Sequence, residues 1–330
     1  MQFTNIRLRG MHFVKKEPRT ATAASVYAGY ADGSVRRLNV QGQRLWTLTD
    51  FTNDITAIIE TEFRQVLVSS LDGSLKRFNS EGDLVWSYGD HTGAINALAF
   101  DVAENQIITA SSDGSVRKLG FDKTLVWSYT GHTGAVNGVA VSVAGYVHSA
   151  GADGTVKKLQ LDGQDAIWSV SEHTGIIKGV FVDIDGDVYS YGDDNLIIKY
   201  SGEDGTVLWT FNGNVTDVVD VTVDQYGNVY SVSFDGILRN ISTTGQEVDS
   251  FDMMDEPTGI DRDVSGYLYV SLRNNGVMRI TNVGSELWTY NNHTSDVTAV
   301  ACTQAIVMYP PVITYAEYFP LLAPENLTAE

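Results

Sequence analysis

The chain has 330 residues and a net charge of −19. A surface this acidic lacks the Lys and Arg that displace counterions from phosphates, which argues against nonspecific nucleic-acid binding. One cysteine, Cys302, excludes an internal disulfide and a multi-cysteine metal cluster, and no apolar run reaches the roughly 18–20 residues that span a bilayer.

Residues 1–20 read as a basic arm. Arg7, Arg9, Lys15, Lys16 and Arg19 face only Glu17, which gives +4 and leaves −23 on the remainder. The first residues lack the apolar core of a secretory signal, so cytoplasmic synthesis is expected. The arm, with Arg7, Arg9, Lys15 and Lys16, is a candidate docking strand for an acidic surface; the alternative is a solvated tail.

From residue 21 the chain repeats. Trp46, Trp86, Trp127, Trp168 and Trp209 are 40 or 41 residues apart, and Trp288 follows after about two periods, with Val248 at the skipped place. Turn dipeptides keep the same step: Asp32-Gly33, Asp72-Gly73, Asp113-Gly114, Asp153-Gly154, Asp194-Asn195, Asp235-Gly236 and Asn274-Asn275. Such dipeptides between apolar runs signal hairpins, because the turn needs positive φ. One unit runs from His132 to Val170. It holds a small-residue strand at 135–141, a second at 146–150, a third at 155–161 and a fourth at 166–170. Four short antiparallel strands per 40-residue period predict an all-β, seven-bladed β-propeller over residues 21–302. Trp46, Trp86, Trp127, Trp168, Trp209 and Trp288 fall on outer strands, where large rings fill the space between diverging blades.

The first blade lacks an inner strand of its own. The window where one would fall, residues 14–20, holds Lys15, Lys16, Glu17 and Pro18. At the other end, residues 296–302 carry the inner-strand pattern with no hairpin turn after them. The C-terminal strand is therefore expected to complete blade one and close the ring. Residues 303–330 form a Pro- and Tyr-rich apolar tail. Tyr309, Tyr315, Tyr318, Phe319, Leu321 and Leu322 are its candidate docking residues, suited to strand addition or groove packing.

Eleven of the 22 basic residues lie on third strands, from Arg36-Arg37 to Arg279. Adjacent strand residues point to opposite faces, so the pairs read as structural and not as one patch. Asp183, Asp185 and Asp187 surround Gly186 and are weak candidates for Ca²⁺, but they occupy the ordinary turn between first and second strands and lack the terminal Glu of a calcium loop. Otherwise no metal, cofactor or catalytic grouping is indicated.

Gly131-His132-Thr133-Gly134 with Ser149 and Asp153 resembles the opening of a WD repeat. That resemblance implies a hydrogen-bonded set of loop His, strand Ser and turn Asp in each blade. His91, His132, His173 and His293 keep the histidine, and the expected pairs are His91–Asp113, His132–Asp153 and His173–Asp194. The WD tryptophan six residues past the Asp is absent, replaced by Leu38, Phe78, Leu119, Leu159, Tyr200, Ile241 and Ile280. Segments ending in Trp86, Trp209 and Trp288 are similar instead to quinoprotein-type (PQQ-like) repeats. The repeat style also resembles propellers of bacterial and bacteriophage structural proteins.

The functional expectation is a non-enzymatic protein-interaction or structural module. It would be docked through its termini to other structural proteins of a larger assembly, such as a bacteriophage tail, fibre or capsid-associated particle, and located in a virion or cell-surface assembly. One alternative is a glycan-binding adhesin or lectin using the loops around His91, His132 and His173. Another is a cytoplasmic WD-like scaffold. No cofactor, nucleic acid or membrane insertion is expected.

Overall fold

A computed structural model describes residues 25–302, apart from residues 62, 264 and 275. Arg7, Arg9, Lys15 and Lys16, and Tyr309, Tyr315, Tyr318, Phe319, Leu321 and Leu322, lie outside the described residues, as does Asn275 of the seventh turn. Within them, 28 strands form seven four-stranded antiparallel sheets. These are the seven blades of a β-propeller. No helix there is long and apolar enough to cross a membrane.

Strand character changes from axis to rim. Inner strands such as Val136–Val141 and Ile177–Val182 are rich in Val, Gly and Ala because they crowd around the axis. A Cβ on Gly138 would sit 2.7 Å from the Val180 amide nitrogen and 2.8 Å from the Gly179 Cα, so only glycine permits this approach. Second strands such as Val147–Gly151 and Val188–Gly192 are buried at every position, sandwiched between neighbouring blades. Outer strands are largely exposed. The core is thus a set of layers between blades. One layer joins Ala110 and Trp127 of the third blade to Val136, Val147 and Leu159 of the fourth.

The turns follow the expected chemistry. Gly33, Gly73, Gly114, Gly154 and Gly236 all have positive φ, as does Asn195. Each preceding Asp folds its carboxylate onto the amide two residues on, as from Asp32 to Ser34 at 2.9 Å and from Asp153 to Thr155 at 3.1 Å.

The ring closes through the C-terminal strand. Val297–Cys302 pairs antiparallel with Ser25–Tyr30, with Val26 opposite Cys302 and Ala28 opposite Val300. The blade therefore takes its inner strand from one end of the chain and its other three from the opposite end.

Five of the tryptophans tie their blade to the next. Trp46 Nε1 donates to the Ser80 carbonyl (3.4 Å), Trp86 to Phe121 (3.2 Å), Trp127 to Leu161 (3.1 Å), Trp209 to Thr243 (3.0 Å) and Trp288 to Val40 (2.8 Å). Each acceptor lies in the turn between third and outer strands of the following blade. Three of these carbonyls also take a guanidinium, from Arg37, Arg77 and Arg279. The basic residues of the third strands are thus partly spent on carbonyls between blades. The sixth blade lacks the tryptophan: Asp249 stands opposite Asn240 in its register place, Val248 is the exposed residue of the same β-bulge that precedes the tryptophan in every other blade, and Phe251 reaches the following blade's Gly284, the place a tryptophan takes elsewhere.

Candidate functional site

The loop histidines sit on one face of the disc, each buried against its own blade. His91 Nδ1 is 2.8 Å from Asp113, and its Nε2 is 2.8 Å from the Thr109 hydroxyl. His132 bridges Asp153 (2.9 Å) and Ser149 (2.8 Å), and His173 bridges Asp194 (2.9 Å) and Ser190 (2.7 Å). Burial holds His91 and His132 below the usual imidazole range, so they are neutral near pH 7. Burial would raise Asp113 and Asp153, but hydrogen bonds from Ser115 and Thr155, and from the histidines, outweigh it and lower both.

The other blades solve the same problem differently. His293 turns its Nε2 towards Asp32 (3.3 Å) and stacks on Tyr30, with ring centres 4.1 Å apart. Thr52 donates to Asp72 at 3.2 Å. In the sixth blade Arg239 reaches both Asp235 (2.7 Å) and Ser233 (2.8 Å). These side chains are committed to holding turns.

Asp183, Asp185 and Asp187 do not form an open oxygen cage. Lys199 Nζ lies 3.2 Å from Asp183 and 3.0 Å from Asp187, which places a cation between them already. Asp183 also accepts the Tyr189 hydroxyl at 2.9 Å and the Asp187 amide at 2.9 Å. Asp185 is exposed on the turn. Among the described residues no group of three or more His, Cys, Asp or Glu is arranged to hold a metal ion.

A second feature surrounds the axis, where a cavity of about 280 Å³ is lined by the inner strands. In five of the seven inner strands the second residue reaches a carbonyl of the neighbouring one. Thr298 Oγ1 donates to Ile55 O (2.7 Å), Asn96 Nδ2 to Val136 O (2.8 Å), Asn137 Nδ2 to Ile177 O (2.8 Å) and Thr258 Oγ1 to Val297 O (2.6 Å). Val219 cannot do this. The next residue, Asp220, instead accepts the Ile260 amide at 2.9 Å, and Asp261 accepts the Cys302 amide at 2.8 Å. The signal was present in the sequence as a Thr, Asn or Lys after the first apolar residue of most inner strands.

Desolvation raises Asp220 and lifts Asp261 to about 6. Asp261 therefore binds its proton more tightly folded than unfolded. Its contribution is fullest below the unfolded value of 3.8 and declines as pH rises through about 6. Asp261→Asn keeps an acceptor for Cys302 and removes the charge. The variant should gain about 2–3 kcal/mol at pH 8, at 1.36 kcal/mol per pKa unit, and lose that gain by pH 4. Urea unfolding at the two pH values measures this; an equal gain at both would show that the charge is not the cause.

The third feature is the rim, and the sequence reading passed over it. Every outer strand has a single paired neighbour, so seven strand edges face outward. The residue before each tryptophan is apolar: Leu45, Val85, Val126, Ile167, Leu208 and Leu287, with Val248 in the sixth blade. All seven are between 46% and 63% exposed. The period was visible, but only the fold shows that these residues face solvent.

Two family models match parts of the chain. Residues 152–314 match the one described as outer membrane protein assembly factor BamB. Residues 82–118 and 123–158 match the WD domain, G-beta repeat. No curated protein matches the sequence. Among similar solved structures is the crystal structure of the WD40 beta propeller domain of Doa1. It is 22% identical, with a TM-score of 0.71 over 78% of this chain and 89% of that one. The likeness at that identity is one of fold. The chain is thus a seven-bladed propeller whose repeats resemble the WD repeat over residues 82–158 and the BamB-type repeat from residue 152 onward.

Proposed function

We propose that this propeller is a non-enzymatic interaction module that docks into a larger assembly. The observation that carries this reading is the rim: seven unpaired strand edges, each with an exposed apolar side chain at the same register. Isolated edges of this kind are normally blunted by charge, whereas an apolar belt suits packing against a partner. The repeated histidine and aspartate positions, and five of the six tryptophans, are occupied with internal bonds, which supports a structural over a catalytic role. The apolar sequence of residues 303–330 supplies a second attachment, and a virion or cell-surface fibre is the kind of assembly that uses a rigid disc in this way.

The test is sedimentation. Tagged full-length protein, expressed in its own source, should co-sediment with a large particle. Deletion of residues 308–330, or a Val126→Glu/Ile167→Glu/Leu208→Glu variant, should shift it to the free fraction while leaving the melting curve near that of the parent. Free discs in every case would overturn the reading. Retention on a glycan array, lost on altering the loops around His91, His132 and His173, would favour a lectin instead.

A further inference from the structure

On one face of each blade, three residues directly opposite one another form a row across the second, third and outer strands. In the fifth blade the row is Tyr189–Lys199–Trp209, and in the seventh it is Tyr269–Arg279–Trp288. An aspartate from the turn after the inner strand completes each set. Asp183 accepts the Tyr189 hydroxyl and pairs with Lys199 at 3.2 Å; Asp263 accepts the Tyr269 hydroxyl at 3.0 Å and faces Arg279 at 3.8 Å. In the third blade Asp101 pairs with Lys118 at 3.0 Å.

The fourth blade breaks this rule twice. Its row is His148–Lys158–Trp168, and Ser142 stands where the third, fifth, sixth and seventh blades have Asp101, Asp183, Asp224 and Asp263; the second blade has Thr61 there, but beside an arginine and with no histidine in its row. Lys158 has no carboxylate in that place. It donates instead to the Gly202 carbonyl at 2.6 Å and lies 4.5 Å from the centre of the Tyr146 ring. Gly202 is the carbonyl that Trp168 would reach by the rule of the other blades. Trp168 Nε1 and both ring nitrogens of His148 are buried with no hydrogen-bond partner among the described residues. His148 is 1% exposed, and burial pushes its imidazolium down to about 3, so the ring is neutral, with one N–H and one acceptor nitrogen. Beside this row a cleft of about 580 Å³ opens between the fourth and fifth blades, lined by Ser142, His148 and Lys158, with Asp185 and Glu203 also on its wall.

A buried polar group without a partner costs about 1–3 kcal/mol, so the two ring nitrogens of His148, a residue on the wall of the cleft, point to something that fills it. The His148 N–H and the Lys158 ammonium, where the neighbouring blades hold a carboxylate, call for a carboxylate. The acceptor nitrogen of His148 and the carboxylates of Asp185 and Glu203 call for a donor, best a cation. A plain anion is repelled by a chain of net charge −19, whereas a zwitterion is not. We propose that the cleft between the fourth and fifth blades binds an α-amino acid, its carboxylate on Lys158 and His148 and its ammonium towards Asp185 and Glu203. The size is within the range of small-molecule sites. The inference is independent of the rim and of its role in docking.

Titration calorimetry of the full-length chain against the twenty amino acids tests this, with acetate and glycinamide as single-charge controls. At least one amino acid should bind with Kd below about 1 mM, and both controls at least about tenfold more weakly. Ser142→Asp returns the carboxylate of the neighbouring blades to Lys158. It should weaken binding by more than about tenfold with an unchanged or higher Tm. Lys158→Met should weaken it equally and serves if the first variant folds poorly. Absence of binding by all twenty, with the cleft holding water alone, would overturn the proposal. So would acetate binding as tightly as the amino acid, or binding unaltered in a folded Ser142→Asp protein.

Discussion

Deleting residues 293–330 should abolish cooperative folding, whereas deleting residues 308–330 should leave it intact. The longer deletion removes the strand Val297–Cys302, the inner strand of the first blade. Val26, Tyr27, Ala28 and Tyr30, all fully buried, lose the strand that pairs with theirs. Exposing side chains of this size costs about 1.5–3 kcal/mol for each large one, so a few of them rival the 5–15 kcal/mol of a whole domain. The ring also loses the bonds from Thr298 to Ile55 and from Thr258 to Val297, and the contact of His293 with Asp32. The new edge at Ser25–Tyr30 is uniformly apolar apart from Ser25, a template for aggregation. Circular dichroism melting with size-exclusion chromatography decides this: the longer deletion should give aggregate or no sharp transition. A truncated monomer that melts like the parent would show that closure does not depend on this strand. Ala301→Arg is the single-residue version, since Ala301 is buried opposite Tyr27 and a charge there has no compensating partner.

The fold was legible because its punctuation is local. Asp-Gly turns state where φ is positive, and the small residues of the inner strands state where the chain is crowded, so blade number and closure followed from spacing alone. The His–Asp pairs were legible for the same reason, as both partners recur at fixed offsets. What spacing could not show is exact register and contrast. Spacing assigns Val248 to the place of the missing tryptophan, yet the pairing puts Asp249 there, leaves Val248 on the bulge that every blade has, and lets Phe251 fill the space at Gly284. His148 looks like an ordinary strand residue until its row is compared with Tyr189 and Tyr269 across the sheet. The rim residues carry the repeat's period, but apolar residues on a strand say nothing of which side is covered until the blades are placed. The docking residues expected at both ends lie outside the described residues and rest on sequence.

Asp153→Ala should be strongly destabilising, at about 3 kcal/mol, since several hydrogen bonds to a charged group, each worth about 1.5–3 kcal/mol, are lost together. The Asp153 carboxylate accepts His132 Nδ1 (2.9 Å), the amides of Thr133 (3.0 Å) and Thr155 (3.1 Å), and the Thr155 hydroxyl (2.7 Å). Alanine leaves His132 buried with one ring nitrogen unsatisfied and lets the hairpin turn loosen. Ser149→Ala removes one bond, to His132 Nε2, and should cost only about 1 kcal/mol. Asp153 and Ser149 act on the same imidazole, so a double-mutant cycle should show coupling of about 0.5–3 kcal/mol. The pH dependence has a fixed sign. His132 is held below its unfolded value of 6.5, so its contribution is full above that pH and is lost as pH falls. Asp153 is held below 3.8, and its contribution is lost lower still, in the same direction. Parent protein should therefore lose stability on acidification below about pH 6.5, and Asp153→Ala should lose more between pH 8 and pH 4, because the carboxylate is what raises the His132 imidazole against its burial, while its own protonation falls below that range. Urea unfolding from pH 8 to pH 4 checks both slopes. Equal slopes for parent and variant would mean that the carboxylate serves the turn by its geometry and not by its charge.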